Sequence, residues 1–106
     1  MQQYNFDMIE GVEKAPGVLA KTIHSERMTV AQYEFAPDTQ LPEHSHPHEQ
    51  IAMVKEGEFE LTVAGTVYRL SAGDMLVVPP DVPHSGHSVT AARVMDVFSP
   101  VREDLK

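Results

Sequence analysis

The chain has 106 residues, 42% of them hydrophobic, which is enough for one compact domain around one core and leaves little for large insertions. Eight Lys and Arg against 16 Asp and Glu give a formal charge of -8, which argues against a nucleic-acid or anionic-membrane surface and requires a local cation for any anionic ligand. Without cysteine there are no disulfides, no thiolate catalysis and no Zn–Cys site.

No apolar run reaches the roughly 18 residues of a membrane span, and MQQYNFDMIEG lacks the basic and apolar regions of a signal peptide, so a cytoplasmic location is the expectation. Pro and Gly interrupt nearly every window before a helical period is established. Strands are expected at Val18 to Ile23 and Met28 to Ala36, the second closed by the turn-forming Ala36-Pro37-Asp38-Thr39, and then at Ile51 to Lys55. Glu58 to Val63 alternates cleanly, with Phe59, Leu61 and Val63 on one face and Glu58, Glu60 and Thr62 on the other. Ala64-Gly65 turns this strand into Thr66 to Leu70, Ser71-Ala72-Gly73 turns again into Met75 to Val78, and Pro79-Pro80 ends that strand. Ala92 to Phe98 is the last. Many short strands with Gly/Pro turns predict an all-β closed barrel or jelly roll. The six methionines read as scattered core filler.

Five of six histidines fall in two clusters, His44, His46 and His48 in PEHSHPHEQ and His84 and His87 in PPDVPHSGH. If residues 44 to 46 are extended, His44 and His46 lie on one face about 7 Å apart and can converge on one ion. Gln50 offers an amide oxygen, and His84 would arrive on another strand. Imidazole suits Zn, Fe, Ni, Cu or Mn, and no thiolate biases the choice. The alternative is a solvated, His-rich turn with no ion. His48 is expected to support the site or to be exposed, because Pro47 distorts the strand, and His24 to be a surface residue.

On these motifs the chain resembles the cupin family of small jelly-roll barrels, which hold a metal in the barrel mouth. The first cupin motif appears as His44-Ser45-His46, three residues, Gln50, six residues, Gly57. The second appears as Gly73, five residues, Pro79-Pro80-Asp81, two residues, His84, three residues, Ser88. The sequence departs from the family pattern at Gln50 in place of Glu, Asp81 in place of Gly and Ser88 in place of Asn. Asp tolerates the left-handed backbone of a turn, so Asp81 is a benign change, and Ser88 reads as a minor one. Gln50 changes the chemistry: a neutral amide cancels none of a dication's charge, which favours Lewis-acid polarisation and tilts the reading from oxygenase toward isomerase, cyclase or lyase.

HSHPHEQIAMVKEGEFEL, together with the tail from Asp96 through Leu105, also resembles the cupins of pectin and alginate breakdown, which convert 4,5-unsaturated monouronates to the linear keto form. This resemblance implies His44, His46, Gln50 and His84 as ligands to one divalent transition metal, among Zn, Ni, Fe, Mn and Co, and Asp96, Phe98 and Arg102 as substrate-facing residues. Arg102 would pair with the carboxylate of an anionic sugar acid, Asp96 would shuttle a proton and Phe98 would form an apolar wall. Periodicity leaves the direction of Asp96 open, since Val94 and Phe98 flank it on one face and Met95 and Val97 on the other. Two apolar faces on several strands suggest a homodimer. Other readings are a metal-dependent dioxygenase, a cyclase-type isomerase, or a non-catalytic sugar-binding cupin.

Overall fold

A computed structural model describes residues 1–106 as ten strands: β1 Val12–Ala15, β2 Val18–His24, β3 Thr29–Phe35, β4 Gln40–His44, β5 Glu49–Glu56, β6 Glu58–Val63, β7 Thr66–Ser71, β8 Met75–Val78, β9 His84–Ser88 and β10 Ala92–Ser99. The only helical pieces are single 3-10 turns at Phe6–Met8 and Glu103–Leu105. The strands form two antiparallel sheets, ordered β1-β2-β3-β10-β5-β8 and β4-β9-β6-β7. This is an all-β jelly roll.

The alternation in β6 does what period-2 patterning demands: Phe59 and Leu61 are buried while their neighbours are half-buried. They pack with Leu70 from β7 and, from the facing sheet, with Val18, Phe35, Ala52, Val54, Val78, Ala92 and Val94. Phe35 and Phe59 meet between the sheets with ring centroids 4.9 Å apart. Gly57 separates β5 from β6 at φ +82°, and a Cβ there would strike the Ala91 carbonyl oxygen, so the turn requires glycine on two counts. Asp81 does adopt the left-handed region, at φ 63°. Ser88 is more than a minor feature. It is fully buried, donates from Oγ to the Ala36 carbonyl at 2.6 Å and accepts the Thr39 N–H at 2.9 Å, fastening the turn before β4 to the end of β9.

Two strands, β1 and β4, lie outside the sequence expectation, and β9 is the strand expected to deliver His84, now with bounds. The methionines also differ from it, because none belongs to the core; Met1, Met8, Met28 and Met75 are exposed and Met53 and Met95 half-buried. Several of them sit on the outward face of the larger sheet. There Ile23, Val30, Val97, Ile51 and Val77 stand side by side across five strands, with Met95, Met53 and Met75 in the adjacent row.

The interior changes character along its length. On β10, Ala92 and Val94 belong to the apolar cluster, while Asp96 and Phe98, also inward, lie toward the other end. β5 runs antiparallel to it with Val54 opposite Val94, Ala52 opposite Asp96 and Gln50 opposite Phe98. One end of the barrel is therefore hydrocarbon and the other carries buried polar groups.

Candidate functional site

His44 is the last residue of β4, His46 sits in the loop after it, Gln50 lies near the start of β5, and His84 opens β9 directly opposite His44. His44 and His46 thus do not share one extended strand as the spacing suggested. β4 ends before Ser45-His46-Pro47, and the loop, not strand parity, brings His46 in. Ligand atoms of His44, His46 and His84 lie within 4.8 Å of one another.

Hydrogen bonds fix which nitrogen each ring presents. His44 Nδ1 lies 2.8 Å from the Pro42 carbonyl, His46 Nδ1 3.0 Å from the His48 carbonyl, and His84 Nδ1 2.9 Å from the Val82 carbonyl. A carbonyl oxygen only accepts, so each Nδ1 carries the proton and each neutral ring keeps a lone pair on Nε2. His84 Nε2 is buried without a partner, and His46 Nε2 faces Gln50 Oε1 at 3.1 Å. With its Nδ1 protonated, neutral His46 sets one acceptor against another there, a repulsive pairing that a cation between them relieves. Burial, followed by the Arg102 charge for His46 and by the closeness of His44, His46 and Arg102 for His84, where a further positive charge is disfavoured, holds both pKa values below the usual histidine value, which keeps the rings in the neutral ligating form. These donors suit a divalent transition metal.

His48 and His87 stand apart from this set. His48 Nε2 donates to the Val101 carbonyl at 3.2 Å and so ties the ligand loop to the C-terminal segment. His87 points elsewhere, between Asp38 at 2.7 Å and Glu60 at 3.1 Å. His24 is half-buried, not a plain surface residue, and its Nδ1 lies 2.8 Å from Thr29 Oγ1.

The histidines form the mouth of a cavity whose walls include Tyr33, Phe35, Leu41, Phe59, Leu61 and Val94, and to which Gln50, Asp96, Phe98 and Arg102 also contribute. Asp96 points inward at 8% exposure, which resolves the direction periodicity left open. Burial pushes its pKa up to about 7; the Gln50 amide and the Arg102 guanidinium pull the other way. Its Oδ1 has no hydrogen-bond partner. Arg102 is the only Lys or Arg lining the cavity, and its guanidinium carbon stands 4.6 Å from the Phe98 ring centroid. Tyr33, which the sequence reading did not single out, is a fixed neutral phenol there, its pKa raised to about 12 by burial and by Asp96. Its i, i+2 parity with Ala31 and Phe35 was the available signal.

Three neutral imidazoles converging at one end of a two-sheet barrel, beside a cavity with one buried carboxyl and one guanidinium, define a β-barrel protein with a candidate metal site. The family described as Cupin domain matches residues 31–98, and the chain belongs to the cupin family. KdgF from a Halomonas species is similar over its whole length, with a TM-score of 0.95 and 28% identity, covering 100% of this chain and 99% of that one. An RmlC-like cupin from Shewanella frigidimarina gives a TM-score of 0.93 at 30% identity, covering 100% and 97%. An uncharacterized protein of Streptomyces coelicolor is 26% identical over 102 residues, 94% of this chain and 97% of its own length. No helix is long and apolar enough to cross a membrane.

Proposed function

We propose that this cupin converts 4,5-unsaturated monouronates to their linear keto form. The observation that carries the reading is the placement of Asp96: a buried carboxyl in one cavity with the histidine set and with a single cation, Arg102. The similarity to KdgF and the tail's likeness to uronate-linearising cupins point the same way.

His44, His46, His84 and the Gln50 amide oxygen would hold the ion. A bound divalent ion supplies Lewis-acid polarisation of a substrate oxygen, undiminished by any ligand carboxylate. The reaction itself is an isomerisation that needs no co-reactant. The proton leaves the C1 hydroxyl, the C1–ring-oxygen bond breaks to give the aldehyde, the ring oxygen becomes the C5 ketone, and C4 gains a proton. Asp96 is the group to accept the first proton and return one to C4, because a pKa near 7 makes both directions accessible at neutral pH. Arg102 would bind the substrate carboxylate, and Phe98 would limit water and hold the sugar face. Following the ultraviolet absorbance of the 4,5-double bond, with metal-loaded and chelated protein in parallel, tests this: loss accelerated by the loaded protein supports it and equal rates refute it.

The functional unit we propose is a homodimer formed through the outward face of the larger sheet. Ile51, Met75 and Val77 are 38%, 65% and 57% exposed in a patch that continues through Met53, Met95 and Val97. Outward positions of β5 run Glu49, Ile51, Met53, Lys55, a series with opposite charges at its ends. A two-fold axis near Ala52 would set Glu49 of each copy against Lys55 of the other.

A further inference from the structure

The one cation of the cavity is already engaged. Arg102 Nε and Nη2 donate to Asp104 Oδ1 and Oδ2 at 2.9 and 2.7 Å, a side-on bidentate pair between residues two apart. The Arg102 side chain is 12% exposed and that of Asp104 is 59% exposed, so the carboxylate holds the guanidinium from the solvent side. Nη1 makes no hydrogen bond, and the second Nη2 hydrogen is likewise free of the pair. The backbone beneath is pinned as well: the Arg102 N–H donates to Thr29 Oγ1 at 2.8 Å, and His48 Nε2 donates to the Val101 carbonyl at 3.2 Å. The guanidinium face rests on Phe98. The Asp104 pair and the Phe98 ring thus fix the side chain, two further contacts fix the backbone beneath it, and one guanidinium edge is left unpaired.

We infer that Asp104 is a positioning residue, which holds Arg102 by its Nε edge so that the unpaired edge is presented to a ligand carboxylate in the cavity. The inference rests on the uronate reading for the identity of the ligand, and on the geometry above for the rest. Asp104 could act on anion binding in two opposite ways. As a charge it opposes an incoming anion, and its removal would tighten binding. As a clamp it spares the flexible Arg side chain the loss of freedom that binding otherwise imposes, and its removal would weaken binding. The charge effect acts across solvent and is screened, whereas the clamp is a direct bidentate contact onto a guanidinium that is 12% exposed, so the clamp dominates.

The test is calorimetric titration of metal-loaded protein with galacturonate and with its methyl ester, using the unmodified chain, Asp104→Asn, Asp104→Glu and Glu103→Gln. Glu103 pairs only with Lys106, so its substitution removes the same charge one residue away without touching the guanidinium. Asp104→Asn is expected to lower the preference for the acid over the ester by about tenfold, with ester affinity and metal content unchanged. Asp104→Glu should restore part of the preference, and Glu103→Gln should leave it intact. An acid affinity that is unchanged or tighter in Asp104→Asn overturns the inference. If the unmodified chain binds acid and ester alike, the uronate reading fails, and the Arg102 Nε–H signal in nitrogen–proton NMR then decides: broadening in Asp104→Asn supports the clamp and an unaltered signal overturns it.

Discussion

His46 Nε2 and Gln50 Oε1 face each other at 3.1 Å with no proton between them once His46 Nδ1 donates to the His48 carbonyl. One divalent ion per chain should therefore bind and raise the melting temperature, and chelation should lower it, as expected for any ligand that binds only the folded state. His46→Ala and His84→Ala should each weaken metal binding by more than about a hundredfold, since a lost ligand costs at least as much as the largest effects of a lost supporting group. Elemental analysis and melting with and without added metal check this.

Asp96→Asn removes the proton carrier but keeps the shape. Turnover should fall by about 10²- to 10⁴-fold, the range for loss of a general acid–base group, with metal content intact. Arg102→Ala should raise KM for the acid far more than for the methyl ester. Loss of metal in either variant would contradict these roles, because neither side chain is in the proposed ligand set.

Much of this arrangement was legible in the chain. β6 and the two His motifs declared themselves because one alternates apolar and polar residues and the others concentrate a rare ligating residue at short spacing. β9 was expected only as the strand that delivers His84, and its extent was silent for a physical reason. Its inward residues are His84, Gly86 and Ser88, so it has no apolar period, and Gly86 is small because a Cβ there would lie 2.7 Å from the Phe59 ring. β4, QLPEH, carries a proline and is largely exposed, as is all of β1. The outward methionines misled because Met suits any apolar surface, including one that faces solvent or a second copy. The Thr29 contact to Arg102 depends on tertiary register, which no local pattern encodes, whereas Asp104 lies two residues from Arg102 and was a partner the sequence offered beside Glu103.

The outward row through Ile51 and Val77 should mediate self-association. In sedimentation, the unmodified chain is expected at twice the chain mass and Ile51→Lys/Val77→Lys at one chain mass, with an unchanged circular dichroism spectrum because both positions are exposed. A single-chain mass for the unmodified protein would contradict the dimer.

His87, held between Asp38 and Glu60, has its pKa raised by those two carboxylates. A group protonated more readily in the folded than in the unfolded state contributes stability that is full below its unfolded pKa, about 6.5, and lost as pH rises through the folded value. The melting-temperature difference between the unmodified protein and His87→Gln should therefore be largest near pH 6 and shrink toward pH 9. Comparing the two proteins at each pH cancels the titration of the other histidines. A gap that widens with rising pH would contradict the pairing.

The most direct measurement is a proton NMR time course of a freshly generated 4,5-unsaturated monouronate with metal-loaded protein, chelated protein and buffer alone. Metal-loaded protein should speed loss of the vinylic signal and appearance of the linear keto product, and Asp96→Asn carrying the same metal should not. Identical time courses in all tubes, with the ion present in the protein, would contradict the uronate-opening function.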